Sequence, residues 1–321
     1  MKKAIGIDLG GTNLKSGILL ENGKLLHLIY NLTEAKKGPK QVIQNIIAAI
    51  EQLLKHPEGK GIDGIGIGAP GQVDVKTGIV YDPPNLPGWH AENLPEILEK
   101  HFHLPAFVDN DANVGALAES VFGAGKDAAY FVLITLGTGV GSGIILDKKI
   151  YHGAVGAAGE FGHMTINFDG PRCNCGNNGC IERYIGAQWI VERALGYLSD
   201  YPNSALYSYK EKLEQKITPK VIADLANQGD ALSKRVIEET GHYLGIALGA
   251  LVNLLNLDLI LIGGGISNAG PILYDSIQRS LKSYSLSVPG STVQVRQAAL
   301  TENAGVIGAA QLVFENLAIR K

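Results

Sequence analysis

The clearest structural signal in this chain is the stretch Ala4-Ile-Gly-Ile-Asp-Leu-Gly-Gly-Thr12. An apolar run with strand character ends there in a turn of two glycines and a threonine, and a second strand is predicted at 16–20. The same plan returns at Phe131-Val-Leu-Ile-Thr-Leu-Gly-Thr-Gly-Val-Gly-Ser-Gly143, with a further strand from Ile144. Each stretch predicts a β-hairpin. The repeat indicates two related domains, each opening with such a hairpin.

Helices and strands alternate along the rest of the chain. Apolar spacing predicts helices at about 40–54, 111–121, 188–198, 219–227, 232–255, 271–284 and 303–317. Buried strands are predicted at 62–67, 106–108 and 259–262. This alternation predicts an α/β architecture with helices covering the sheets. The length of 321 residues favours two domains.

Composition and charge exclude several classes of protein. A hydrophobic fraction of 45% with 18% charged residues is typical of a soluble globular chain. The net charge of −3 predicts no nucleic-acid surface. The most apolar segment, 244–262, is interrupted by Asn253, Asn256 and Asp258, which argues against a membrane span. The N-terminus does not resemble a signal peptide. We therefore expect a cytoplasmic protein in which the glycosylation sequon Asn31-Leu-Thr33 is a chance match.

The two glycine turns are candidate phosphate-binding loops. In Asp8-Leu-Gly-Gly-Thr-Asn-Leu-Lys15 the glycines allow backbone N–H groups to face a phosphate, and Asp8 suits Mg²⁺ directly or through water. An ordinary hairpin turn is the alternative. The second turn, Gly137-Thr-Gly139, favours a pair of loops that hold a nucleotide. Gly263-Gly-Gly265, at a strand-to-helix junction, would let an adenosine lie against the backbone.

The sharpest local pattern combines all three cysteines of the chain with a histidine. Glu160-Phe-Gly-His163 is followed by Cys173-Asn-Cys175-Gly-Asn-Asn-Gly-Cys180. Three thiolates and one imidazole make a closed tetrahedral zinc site of the structural kind. Three unrelated thiols that cluster by chance are the alternative. A metal would order a loop that has little apolar content of its own.

Asn110-Asp111 follows a short strand and opens a helix. Asp111 either caps that helix or acts as a general base on a sugar hydroxyl during phosphoryl transfer. Polar side chains in other turns suit sugar hydroxyls, namely Asn85, Glu160, His163 and Glu182.

Taken together, these motifs resemble the ROK family (repressors, open reading frames and kinases) over essentially the whole chain. The motifs, in the family's order, are Asp8–Thr12, Ala69-Pro-Gly71, Pro84-Asn-Leu-Pro-Gly-Trp89, Asn110-Asp111, Leu136-Gly-Thr-Gly139, Glu160-Phe-Gly-His163, the cysteine segment and Ile262-Gly-Gly-Gly265. The resemblance implies an α/β, two-domain, actin-like (hexokinase/ribonuclease H-like) ATPase fold with an inter-domain sugar cleft. We expect domains at 1–114 and 115–306, with a C-terminal helix, 307–321, returning to the first.

The resemblance also implies a role for individual residues. Asp111 would be the catalytic base, and zinc would be held by His163, Cys173, Cys175 and Cys180. The sugar contacts would come from Gly71, Asn85, Asn110, Asp111, Glu160, His163 and Glu182. The ATP and Mg²⁺ contacts would come from Asp8, Gly10, Gly11, Thr12, Asn13, Lys15, Thr138, Gly139, Gly264 and Gly265.

The reaction implied is ATP-dependent phosphorylation of a hexose at its 6-hydroxyl. The Pro-Asn-Leu-Pro-Gly-Trp89 run is similar to the glucokinase branch, which favours glucose; N-acetylmannosamine and fructose are the alternatives. The family also contains DNA-binding repressors, whose helix-turn-helix module would precede Asp8, where we expect none. A non-catalytic sugar sensor is disfavoured by Asp111 and the two phosphate loops. The resemblance further implies a homodimer or homotetramer.

Overall fold

A computed structural model describes residues 1–211, 216–300 and 302–319. The strands are β1 (Lys3–Leu9), β2 (Asn13–Leu20), β3 (Leu25–Leu32), β4 (Gly64–Ala69), β5 (Gln72–Asp74), β6 (Ile79–Tyr81), β7 (Ala91–Asn93), β8 (Ala106–Asn110), β9 (Phe131–Leu136), β10 (Val140–Leu146), β11 (Lys149–Ile150), β12 (Leu259–Gly263) and β13 (Gln294–Gln297). The α-helices are α1 (Pro39–Lys55), α2 (Leu94–Phe102), α3 (Asp111–Phe122), α4 (Glu182–Ile185), α5 (Ala187–Gly196), α6 (Leu206–Glu211), α7 (Pro219–Asn227), α8 (Ala231–Leu255), α9 (Pro271–Tyr284), α10 (Ser287–Thr292) and α11 (Ala304–Ile319).

The first hairpin is part of a five-stranded sheet with the order β3-β2-β1-β4-β8. β1 pairs antiparallel with β2, and β4 pairs parallel with both β1 and β8. The register aligns Asp8 with Gly68 and Gly68 with Asp109. The carboxyl ends of the three parallel strands therefore lie along one edge of the sheet.

The second hairpin opens another five-stranded sheet, with the order β11-β10-β9-β12-β13. β12 pairs parallel with β9 and β13, and β10 pairs antiparallel with β11. Each sheet thus has an antiparallel meander on one side of its opening strand and two parallel strands on the other. The repeat that the two glycine–threonine turns predict extends to the whole strand order.

Small residues explain how α11 covers the first sheet. A Cβ atom added to Gly6 would lie 2.0 Å from the carbonyl oxygen of Val306, and one added to Gly66 would lie 1.7 Å from that of Ala309. Both distances are far below van der Waals contact, so only glycine permits this approach of helix to strand. The buried face of α11 continues the core with Ile307, Ala310 and Val313.

The contacts divide the chain into two compact units. Unit 1 contains residues Met1–Ala129, Gly143–Gly159 and Ala299–Lys321, and unit 2 contains Tyr130–Ser142 and Glu160–Ala298. The sequence-based domain limits, 1–114, 115–306 and 307–321, remain a prediction, and residues 212–215, 301, 320 and 321 within them lie outside the described residues. No helix among the described residues is long and apolar enough to cross a membrane.

Unit 1 also contains elements that the periodicity did not predict. β5, β6 and β7 form a small antiparallel sheet, with Gln72 opposite Tyr81 and Ile79 opposite Asn93. Trp89 is buried beneath it and donates its indole N–H to the Val80 carbonyl at 3.1 Å. These strands have three residues each, too few for a hydrophobic alternation to be visible in the sequence.

Candidate active site

Three of the predicted motifs in unit 1 lie at the same edge of the first sheet. The loop Gly10–Thr12 follows β1, Gly71 comes two residues after β4, and Asn110 ends β8. Because the strands are parallel and in register, their following loops emerge side by side. Open α/β sheets bind ligands at the carboxyl ends of their strands.

Thr33 supports the first phosphate-type loop through two hydrogen bonds. Thr33 is fully buried; its hydroxyl donates to the Gly10 carbonyl at 2.6 Å, and its backbone N–H donates to Thr12 at 2.9 Å. Thr33 stood out in the sequence only as part of the sequon beginning at Asn31.

Asn85 lies directly against the same loop. A Cβ atom added to Gly11 would be 2.7 Å from the Cβ of Asn85, so the loop accepts no larger residue here without a shift. Both Asn85 and the adjacent Thr12 are exposed to solvent. A predicted phosphate contact and a predicted sugar contact are therefore neighbours within unit 1.

Asp8 and Lys15 face each other across the β1–β2 pair. Burial raises the pKa of the Asp8 carboxyl, and the charge of Lys15 partly offsets that increase. The Lys15 ammonium donates to the backbone oxygen of Glu302 and lies 5.3 Å from the ring centre of Tyr30. A half-buried carboxylate at this edge has the character of a cation ligand.

The β8–α3 corner positions Asn110 and Asp111 differently. The Asn110 side chain donates to the Gly71 carbonyl at 3.0 Å and caps α3 by accepting from the N–H groups of Ala112 and Asn113. Asn110, and not Asp111, is thus the N-cap of the helix. Asp111 occupies the first turn with its side chain exposed, and its Oδ1 accepts from the N–H of Ala112 at 2.8 Å.

Nothing in the sequence indicated a pair at this corner between a buried aspartate and a partly buried histidine. Asp109 is 1% exposed, and its Oδ2 lies 2.7 Å from Nε2 of His152. Its Oδ1 accepts from the N–H of Asn110 at 2.7 Å and from the side chain of Asn113 at 2.9 Å. The hydrogen bond to Asp109 raises the pKa of His152. The partners are 43 residues apart, and no local motif joins them.

In unit 2 the second phosphate-type loop follows β9, and Gly264 follows β12. Gly263 and Thr135 are paired in the register, and a Cβ atom added to Gly264 would lie 2.2 Å from the Leu136 carbonyl oxygen. Thr138, Gly139, Gly264 and Gly265 are all exposed. The structure therefore brings the predicted phosphate and adenosine contacts of this unit to one sheet edge.

His163 and the three cysteines of unit 2 come together as predicted for a metal site. Their four ligand atoms all lie within 4.8 Å of one another. The Cys175 and Cys180 sulfurs are 3.6 Å apart, and the Cys173 sulfur is 3.8 Å from Nδ1 of His163. A zinc ion about 2.3 Å from each sulfur and about 2.0 Å from the imidazole would hold its ligands roughly 3.5–3.8 Å apart. The donor set and its spacing fit zinc.

Glu182 begins α4, two residues after the last cysteine. Its Oε2 accepts a hydrogen bond from the backbone N–H of Val140 at 2.9 Å. Glu160 also belongs to unit 2; it is exposed and precedes the short 3₁₀ turn Phe161–His163 without a side-chain capping bond. Of these two predicted sugar contacts, Glu182 is therefore hydrogen-bonded to the backbone of β10, whereas Glu160 is exposed to solvent.

Known proteins resemble this chain over nearly its whole length. Residues 4–316 match the sequence model of the ROK family. The glucokinase of Halalkalibacterium halodurans is 38% identical over 312 residues, which are 96% of this chain and 94% of that protein. The crystal structure of a ROK family glucokinase from Streptomyces griseus in complex with glucose and AMPPNP is 33% identical, has a TM-score of 0.84, and is matched over 98% of this chain and 99% of that one. These likenesses confirm the predicted α/β, actin-like ATPase fold.

A regulator shares the same fold. The structure of a ROK family transcriptional regulator, a homologue of the E. coli MLC protein, is 30% identical with a TM-score of 0.88, over 98% of this chain and 78% of that one. Fold similarity alone therefore does not separate enzymes from regulators, and the choice between them depends on the residues of the site.

Proposed function

We propose a specific reaction for this chain, which belongs to the ROK family. It is an ATP-dependent hexokinase that phosphorylates glucose at the 6-hydroxyl, with Asp111 as the general base. Sugar phosphorylation by ATP is supported by the glucokinases of two bacteria that match nearly the whole chain. The glucose specificity and the role of Asp111 are the parts that we add.

The observation that carries the proposal is the register of the first sheet. It aligns the loop 10–12, Gly71 and the Asn110–Asp111 corner along one edge of unit 1. Phosphoryl transfer is catalysed mainly by positioning and electrostatics, with a carboxylate that accepts the proton of the attacking hydroxyl. Asp111 is exposed, which suits that role. Its neighbour Asn110 is held in place because its amide nitrogen donates to Gly71 and its amide oxygen accepts from Ala112.

The residues that we assign to the sugar are Asn85, Asn110, Asp111 and the backbone near Gly71 in unit 1, and Glu160, His163 and Glu182 in unit 2. We assign the phosphates to residues 10–13 and Lys15 in unit 1 and to residues 138–139 in unit 2, and the adenosine to Gly264 and Gly265. Asp8 would hold Mg²⁺ directly or through water. The cation would neutralise charge on the phosphate oxygens.

Zinc would be held by His163, Cys173, Cys175 and Cys180. Because Nδ1 of His163 is the ring nitrogen nearest the Cys173 thiol, Nε2 remains for a sugar hydroxyl. A histidine that is oriented by a metal through one nitrogen presents the other in a fixed direction. In this proposal the metal's contribution is to geometry and not to the transfer step.

The test is ATP-dependent ADP release by zinc-loaded protein with a panel of acceptors: glucose, mannose, fructose, N-acetylglucosamine and N-acetylmannosamine. We expect the highest kcat/KM with glucose. A preference for N-acetylmannosamine or fructose would support the kinase activity but contradict glucose as the substrate. No turnover with any sugar, together with sugar binding in calorimetry, would reject the enzyme in favour of a sugar-sensing regulator.

A further inference from the structure

Glu182 connects the second phosphate-type loop with the zinc segment. Its carboxylate accepts from the N–H of Val140, the residue that directly follows the loop 137–139. A Cβ atom added to Gly139 would lie 2.8 Å from the same oxygen, Oε2. The carboxylate therefore rests against the backbone of the loop itself.

The residues after Glu182 close around the same loop. The N–H of Ala187 donates to the Gly137 carbonyl at 3.1 Å, and a Cβ atom added to Gly186 would be 3.4 Å from the Thr138 carbonyl oxygen. Residues 137–139 are exposed and have two glycines among them, so their own side chains do little to fix their conformation. Besides its own hydrogen bond from the Gly137 N–H to the Gly139 carbonyl at 3.0 Å, the loop is supported by contacts with residues 182–187.

The residue before Glu182 is hydrogen-bonded to the segment that carries the predicted metal ligands. The N–H of Ile181 donates to Met164 at 2.8 Å, which joins the residue before Glu182 to the residue after His163. A Cβ atom on Gly162 would lie 2.3 Å from the Val140 carbonyl oxygen. Within unit 2, the turn that carries His163 thus packs against the same Val140 whose N–H is bound by Glu182.

We propose that Glu182 serves both substrates: it orders the phosphate loop through Val140 and at the same time accepts a sugar hydroxyl. The inference rests on the proposed function, which makes Glu182 a sugar contact. A carboxylate has two oxygens and about four acceptor sites, so one hydrogen bond to Val140 does not exhaust it. The proposal predicts that sugar bound to Glu182 holds the carboxylate against the loop and so tightens nucleotide binding. Because coupling between two ligands is reciprocal, nucleotide must then tighten sugar binding by the same factor.

Glu160 provides the matched comparison. It is a predicted sugar contact of the same unit with the same functional group, but it precedes a 3₁₀ turn and its side chain caps nothing. Loss of either carboxylate is expected to weaken sugar binding. Only loss of the Glu182 carboxylate is expected to weaken nucleotide binding in the absence of sugar.

The experiment is calorimetric titration of full-length, zinc-loaded protein with AMPPNP and Mg²⁺, first without sugar and then with saturating glucose. Glu182→Ala should weaken AMPPNP binding about tenfold, as expected for loss of a hydrogen bond to a charged group, and should abolish the effect of glucose. Glu182→Gln keeps an acceptor for Val140 and should restore most of the sugar-free affinity. Glu160→Ala should leave that affinity unchanged.

Unchanged or tighter AMPPNP binding by Glu182→Ala would overturn the proposal, because the carboxylate would then act on the sugar alone or repel the phosphates. Equal weakening by Glu160→Ala would also overturn it. Glu182→Ala could lose zinc or change its circular dichroism spectrum, and the comparison of Glu182→Gln with the unmodified protein then decides. In the absence of sugar, the Gln variant must bind AMPPNP nearly as well as the unmodified protein. With saturating glucose, it must gain less affinity for AMPPNP than the unmodified protein does. Absence of sugar turnover in the unmodified protein would reject the proposed function. The AMPPNP titration without sugar would still test whether Glu182 orders the phosphate loop.

Discussion

At the scale of single residues, Asp111 is the group on which the proposed chemistry depends. Asp111→Asn removes the proton acceptor but keeps the size and the polar contacts of the side chain. We expect turnover to fall by about 10²–10⁴-fold, the usual contribution of a general base. Glucose affinity should change little, as measured by calorimetry beside a coupled ADP assay.

Asp127→Asn is the control for that prediction, because Asp127 is also an exposed aspartate of unit 1 but lies outside the proposed site. It should retain full turnover. Near-normal turnover of Asp111→Asn would contradict the assignment of the base.

Thr33 yields a second prediction at this scale. Thr33→Val removes the hydroxyl that donates to Gly10, so the first phosphate loop loses a buried hydrogen bond worth about 1 kcal/mol. We expect the KM for ATP to rise roughly fivefold, with little change in the KM for glucose. Thr33→Ser keeps the hydroxyl and should behave like the unmodified protein; an equal effect of both variants would show that the methyl packing matters instead.

Residues differ in how far the sequence reveals them. The predicted zinc ligands are visible in the sequence because their residue types and local spacing suit a metal, whereas the proposed role of Asp111 depends on the family resemblance. Thr33 acts on a loop 23 residues away, and His152 on a strand 43 residues away. Such roles arise only when the topology brings distant segments together, so no local pattern contains them.

At the scale of elements, the His152–Asp109 pair supports the corner between β8 and α3. Because the hydrogen bond raises the pKa of His152 in the folded state, its stabilising effect is fully present below the unfolded pKa of about 6.5 and is lost as the pH rises through the folded value. Removing the imidazole should therefore cost more stability in acid than in base.

The measurement is urea unfolding of the unmodified protein and His152→Gln at pH 5.5 and pH 9. We expect a difference in unfolding free energy of roughly 1–3 kcal/mol at pH 5.5, the range for hydrogen bonds to charged groups, and a clearly smaller one at pH 9. The comparison between variants cancels the titration of Glu315, whose pKa is raised by burial and by Asp109. A difference that grows with pH would contradict the sign of the shift.

Element prediction succeeded where periodicity is long. The helices Pro219–Asn227 and Pro271–Tyr284 have the predicted limits, since a proline begins each of them and the apolar face spans several turns. The helix Leu94–Phe102 and the strands of the small sheet were not predicted. The strands of the small sheet have three residues each, too few to show a period. The helix does have apolar residues at helical spacing, Leu94, Ile97, Leu98 and Phe102, after the N-cap Asn93, so its signal was present in the sequence and was overlooked.

At the scale of the whole molecule, the metal cluster is the only one found among the described residues, and it contains every cysteine of the chain. Removing zinc with a chelator should release one metal equivalent and lower the midpoint of thermal unfolding by roughly 5 °C or more, since structural zinc contributes folding free energy directly. Metal analysis and differential scanning calorimetry check both results.

Cys175→Ser provides the internal control. Cys175 is the exposed cysteine of the set, so its replacement should remove a ligand with little loss of core packing. The variant should have a lowered midpoint that chelator does not lower further. A full response of the variant to chelator would mean that the metal is held elsewhere.

Unit 1 is assembled from both ends of the chain, and this arrangement has a consequence for biosynthesis. β1 and β4 are translated early, whereas α11, which lies against Gly6 and Gly66, is translated long after them. For most of translation the nascent chain therefore has a first sheet without its covering helix. A premature stop before Ala304 would retain every residue of the proposed site and still leave the first sheet without this helix, so correct packing of the first strands depends on residues that are translated long after them.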